Sequence, residues 1–143
     1  MMHTPDATAI ALTRILELAH PPGLVSAYLF GSHAEARAHR DSDVDVGVLL
    51  DWRAFPTARA RFEERLRLTA LLATGLAQDR MDVVVLNDAP PGLGRRVVTR
   101  GRQVYRADAE VDHAYRRDVQ LRAADLEPFL RRTRRIKLAG LRR

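Results

Sequence analysis

An α/β domain of the α+β kind, with a small mixed sheet of about four strands flanked by helices, is the fold class this sequence predicts. Three observations carry that expectation. Short apolar runs of strand length alternate with longer segments of helical periodicity. Clusters of Gly, Pro, Asn and Asp separate them. The chain has 143 residues and is 46% hydrophobic, enough for one core and too few for two comfortable ones, so residues 1–143 are expected to form a single domain.

The elements follow in order. Thr4-Pro5-Asp6 reads as a helix start, with a capping hydroxyl, proline at the first helical position and an acid in the first turn. Leu12, Ile15, Leu16 and Ala19 mark its buried face, and His20-Pro21-Pro22-Gly23 ends it. Residues 24–30 suit a buried strand that stops at Gly31-Ser32. After a short helical or loop segment, Val44 to Leu50 form a second strand. Phe62, Leu66, Thr69, Ala73 and Leu76 recur at helical spacing and predict an amphipathic helix over 57–77. Residues 81–86 make a third strand, 93–100 a short helix, and Gln103 to Arg106 a fourth strand. From Glu110 the pattern is helical, with Val111, Tyr115, Val119, Leu126 and Leu130 as its apolar stripe. Pro128, lacking an N–H, is expected to kink or restart this last helix.

Composition removes several function classes. There is no cysteine, which excludes disulfides, zinc–thiolate sites and thiol catalysis, so a metal would sit on carboxylates or histidines. The start, MMHTPDATAI, lacks the basic region and apolar run of a signal peptide, and no segment has membrane-spanning length. A soluble, cytoplasmic protein is expected, with no membrane partner. Of the 24 basic residues, seven lie in 131–143, so the net charge of +6 belongs to the C-terminal end of a basic helix or tail at about 110–143. Lys137 is the only lysine, and a GxxxxGK phosphate loop is absent. Phosphate would have to be met by arginine, backbone N–H groups or metal.

The information concentrates in residues 29–50, LFGSHAEARAHRDSDVDVGVLL. A strand runs into Gly31-Ser32, and the next strand carries Asp43 and Asp45. Glycine allows a sharp turn and close approach to a ligand. Ser32 adds a hydroxyl donor, and the N–H groups of the following turn suit a triphosphate. Asp43 and Asp45 share one face of a strand because side chains alternate, while Val44 and Val46 point into the core. Two adjacent carboxylates repel unless a cation lies between them, and hard oxygen donors completed by substrate phosphates suit Mg²⁺. Asp82 opens an otherwise apolar strand, a poor place for a charge without a partner. Should that strand lie beside 44–50, Asp82 joins the same acidic face, giving three carboxylates for two ions and a proton acceptor for an attacking hydroxyl.

Gly31-Ser32, the ten residues 33–42, Asp43-Val44-Asp45 and Asp82 resemble the nucleotidyltransferase signature. Most of the chain, including the helix leading into YLFGS and the segment from Gly101 to Leu130, resembles the minimal nucleotidyltransferases of the DNA-polymerase-β-like superfamily. Those proteins serve as antitoxins to HEPN-type ribonucleases. The resemblance implies the nucleotidyltransferase fold, Gly31 and Ser32 at the nucleotide, and Asp43, Asp45 and Asp82 as catalytic metal ligands. It also implies Mg²⁺-dependent transfer of AMP from ATP onto a tyrosine of a HEPN toxin. Members often carry arginine after Gly-Ser and glycine three positions on; here His33 and Ala36 stand there, with Arg37 or Arg40 available to substitute at phosphate.

The remaining polar residues have plainer readings. Asp41 lies before the strand and reads as a turn residue. His3, His20, His33, His39 and His113 share no helical or strand face and make no metal set. Arg14 to His20 and Arg106 to His113 loosely mimic the Arg-to-His spacing of HEPN ribonucleases, but neither Arg is followed by a polar residue, so a fused toxin is not expected. The basic tail is either a solvated helix end favoured by the helix dipole or a partner-binding arm; no aromatics interleave its arginines, and direct nucleic-acid binding is not expected. Two other functions remain open at this stage: an antitoxin that neutralises its toxin by covering it, and a nucleotidyltransferase acting on a small molecule.

Overall fold

The computed structural model describes residues 4–31, 34 and 43–141, with side chains for 7–31, 34 and 43–125. The elements run α1 (Thr4–Ala19), β1 (Leu24–Phe30), β2 (Val44–Leu50), α2 (Ala58–Leu76), β3 (Met81–Val85), α3 (Pro91–Arg100), β4 (Arg102–Arg106) and α4 (Ala109–Leu141). Among the described residues the strands form one sheet in the order β3-β2-β1-β4. β1 is antiparallel to both β2 and β4, whereas β2 and β3 are parallel, which makes the sheet mixed as expected. The parallel step requires a crossover, and α2 supplies it.

Both faces of the sheet are covered, so β1 is buried along nearly its whole length and reads as a continuous apolar run. On one face Leu12 and Leu16 of α1 and Leu68 and Leu72 of α2 pack against Ala27, Leu29, Val46, Val48 and Val83. On the other, Val97 and Val98 of α3 and Val119 of α4 pack against Val25, Tyr28 and Leu49. Gly94 lets α3 and α4 approach closely: a Cβ there would stand 2.8 Å from Val119 Cγ2 and collide with the Tyr115 hydroxyl. Asn87, just past β3, continues the sheet with its side chain. Its amide accepts from Leu50 N–H at 2.9 Å and donates to Leu50 C=O at 2.8 Å.

Three expectations need correction. In α1, Leu12 and Leu16 are buried, but Ala19 is exposed and Ala9 takes its place in the core. In α2 the expected stripe is rotated: Phe62 and Leu66 are 52% and 54% exposed, while Arg61, Glu64, Leu68 and Leu72 face inward. Partner chemistry explains part of the rotation. Arg61 grips Asp88 with Nε at 3.0 Å and Nη2 at 3.0 Å, and donates Nη1 to Phe55 C=O, so a charged residue is satisfied where an apolar one was expected. In α4, Val111 is 40% exposed and Asp112 is wholly buried beside it. Pro128 does not end α4, which continues to Leu141; the side chains of Leu126, Leu130 and the basic tail lie outside the described residues. Among the described residues no helix is long and apolar enough to cross a membrane.

Candidate active site

The sequence-predicted acids gather at one end of the sheet, on the face that α3 and α4 cover elsewhere. Val44, Val46 and Val48 point to the α1–α2 core, so alternation turns Asp45 to the opposite side, with Gly47 following it under Val97 and Leu86. Val83 and Val85 likewise enter the α1–α2 core and leave Asp82 on the same side as Asp45. The parallel register sets Asp45 directly opposite Asp82, with Val44 opposite Met81. Adjacent strands lie about 4.8 Å apart, so the two carboxylates share a short stretch of surface. Asp43 stands two residues ahead of Asp45, exposed and just outside the strand, whose entry is held by Val44 N–H donating to Arg80 C=O at 2.8 Å.

The chain turns away from β1 at Gly31, where φ is +75°, a conformation glycine adopts at little cost. The position is also sterically closed. A Cβ would stand 3.3 Å from Asp45 Cγ and collide with Oδ2, so the glycine is what lets the Asp45 carboxylate lie against the turn. Asp45 is half-buried, whereas Asp82 is exposed. Ser32, His33, Ala36, Arg37, Arg40 and Asp41 lie outside the described residues. Among the described residues no three acidic or imidazole groups converge into a closed metal cage. What the backbone brings together is an open acidic edge: Asp45 and Asp82 in register, Asp43 adjoining, and Gly31 beneath.

Beside Asp82 a groove of about 640 Å³ runs along the outer side of β3, the edge strand. Phe62 and Arg65 of α2 form one wall, and Pro90 and Leu93 the other. Arg65 Nε donates to Val83 C=O at 2.8 Å. Sequence reading missed this groove because it assigned Phe62 to the core; an aromatic at helical spacing carries no signal of which way its helix is rotated.

A second polar group lies on the same side of the sheet, fully enclosed. Tyr28 in β1 and Asp112 in α4 are 1% and 0% exposed, and the Tyr28 hydroxyl donates to Asp112 Oδ1. Gln103 Nε2 donates to Asp112 Oδ2 at 3.0 Å, and Arg116 Nη1 reaches the Tyr28 oxygen at 3.3 Å. Burial first, and then the Asp112 carboxylate, push the Tyr28 hydroxyl well above the usual tyrosine range. Burial also raises Tyr115, to about 12. This node joins β1, β4 and α4 and was not legible in a strand whose other residues are nearly all apolar.

With this geometry the chain takes its place among nucleotidyltransferases. It belongs to the polymerase β nucleotidyltransferase family, whose model matches residues 14–110 and so spans the whole acidic edge. It is 36% identical over 84 residues to the protein adenylyltransferase MntA of Shewanella oneidensis. That match covers 59% of this chain and 55% of the relative, so the chain aligns with about half of that protein's length. A crystal structure of a toxin–antitoxin with AMP-PNP superposes with a TM-score of 0.62 at 25% identity, over 94% of this chain and 98% of that one. The MNT antitoxin complexed with a tri-AMPylated HEPN toxin of Shewanella oneidensis shares the fold, with a TM-score of 0.60 at 22% identity over 97% of this chain and 99% of that one. The expected nucleotidyltransferase fold is thus the observed one.

Proposed function

We propose that this chain transfers AMP from ATP to a hydroxyl, that of a tyrosine, on a partner HEPN-type toxin, and so acts as its antitoxin. The observation that carries the reading is the register of Asp45 opposite Asp82 on an open acidic edge above Gly31, in a family member similar to a protein adenylyltransferase. A HEPN toxin is named as partner because similar chains are found in toxin–antitoxin structures.

The residues present fit a hard divalent cation. All the donors are carboxylate oxygens, and an open set of one or two acids is how Mg²⁺ is usually held when phosphates and water complete its shell. Asp43 and Asp45 would hold the ion, with Asp82 contributing from β3. Bound there, Mg²⁺ would neutralise the triphosphate and polarise the α-phosphorus. Asp82, exposed at the mouth of the edge, accepts the proton of the attacking hydroxyl. The hydroxyl oxygen forms its bond to the α-phosphorus as the α–β bridging bond breaks, and pyrophosphate leaves with that electron pair. Gly31 keeps the turn free of a side chain, which leaves Asp45 in place and the backbone open to phosphate. Ser32 is assigned to the triphosphate from its position after Gly31.

Intact-mass measurement of a HEPN-type toxin incubated with this protein, ATP and Mg²⁺ tests the reading. The expected result is a gain of one or more AMP units that disappears with Asp43→Asn. A stable complex without any mass gain would replace the transferase with an antitoxin that works by covering its toxin.

A further inference from the structure

The groove along β3 has a use that the acidic edge alone does not explain. It begins at Asp82 and follows the outer side of the edge strand, away from the turn at Gly31. Residues 82–85 of β3 line it, and its walls come from opposite layers of the fold, Phe62 from α2 and Leu93 from α3. A trough with a strand for its floor and apolar walls has the shape of an extended polypeptide, not of a compact ligand. Asp82, the residue assigned to take the acceptor's proton, is one of its lining residues.

The surroundings point the same way. Phe62 and Leu66, one helical turn apart on α2, are both more than half exposed. This apolar surface continues from the groove wall beyond the groove, wider than a small acceptor needs, whereas small-molecule sites enclose most of their ligand. Arg65 lies across the floor, with Nε on Val83 C=O and its guanidinium 6.0 Å from the Phe62 ring. A guanidinium has five N–H donors, so the side chain that covers part of the β3 edge can also donate to carbonyls of an incoming segment. Asp88 at the far wall is already gripped by Arg61, which leaves that wall electrically balanced.

We infer that the acceptor is bound as an extended polypeptide segment along this groove, with an apolar residue against Phe62, carbonyls on Arg65 and its hydroxyl-bearing residue at Asp82. The inference rests on the adenylyltransferase reading above and narrows it: Phe62, Leu66 and Arg65 set acceptor specificity, whereas Asp43 and Asp45 serve the nucleotide. Phe62 and Leu66 are surface positions, so polar substitutions there preserve the fold.

The test uses Phe62→Glu and Leu66→Glu in the full chain, a HEPN-type toxin as acceptor, and two readouts: steady-state transfer and the dissociation constant of the complex. The expected result is a KM for the toxin raised about tenfold or more, with kcat within about twofold of wild type and with Mg²⁺–ATP raising the melting temperature of variant and wild type alike, as a ligand of the folded state does. Transfer by wild type with an unchanged KM in both variants overturns the groove and leaves the adenylyltransferase reading intact. No transfer by wild type removes that reading, and the groove is then judged on binding: affinity weakened about tenfold by Phe62→Glu upholds it as the partner surface. Unchanged affinity, or no complex with wild type, overturns it.

Discussion

Asp112 and Asp82 lie on the same side of the sheet, yet the fold treats them in opposite ways. Asp112 is wholly buried, and each of its oxygens accepts a hydrogen bond, one from Tyr28 and one from Gln103. Asp82 is exposed at the edge strand, directly opposite a second acid, Asp45. A buried carboxylate with its donors in place ties elements together, because losing any partner leaves a desolvated polar group behind. Two acids in register at an open edge set like charges side by side, an arrangement that a bound cation favours. One end of the face is therefore built for stability and the other is the one proposed for chemistry, and substitutions should separate the two.

The largest expected effect is at the open end. Asp45→Asn should cut AMP transfer on the order of 10³-fold, about 4 kcal/mol of transition-state stabilisation, a much larger effect on transfer than on the melting temperature. Parallel transfer assays and thermal melts check it; a folded variant with near-normal transfer would dissolve the contrast. Asp112→Ala should do the reverse. Removing the acceptor of both Tyr28 and Gln103 should cost about 3 kcal/mol in a denaturant titration, with transfer per folded molecule close to normal. Gly31→Ala tests the hinge between the two behaviours. Its φ of +75° and the collision with Asp45 Oδ2 predict a loss of about 2 kcal/mol together with weakened transfer, since the carboxylate must move to admit the methyl group.

The smallest effect sharpens the comparison through pH. Tyr115 is held at about 12 and Tyr28 higher still, both above the usual 10.0, so the native state keeps protons that the unfolded chain releases. The stability linked to these hydroxyls is complete below about pH 10 and declines as pH rises through the folded-state values. Melting temperature should fall between pH 10 and 12, and Tyr115→Phe should flatten part of that fall. An identical slope in the variant would mean that the tyrosine titrates alike in both states.

Much of this was readable beforehand, and the reasons differ by residue. The alternation that turns Asp45 away from Val44 and Val46, the breaker sequence at residues 20–23, and the apolar runs of β1 to β4 are local properties set by backbone geometry and burial within a few residues. The pairing of Asp82 with Asp45 was conditional on two strands 37 residues apart becoming neighbours, which α2 arranges. The rotation of α2 was not legible, because Phe62 and Leu66 look like core until Arg61 finds Asp88 and Phe55. Neither was the Tyr28–Asp112 node, whose members are 84 residues apart.

The sequence by itself determined the element order, the mixed α+β class and the nucleotidyltransferase family, and it supplied the acids proposed for the candidate site. Each of these depends on short-range periodicity or on the identity of a few residues at close spacing. Tertiary structure alone decided which face of α2 meets solvent, which acid is buried and which is left open, and that a groove leads to Asp82. Those outcomes depend on partners brought together across the chain, where one satisfied ion pair outweighs the local preference of a helix face.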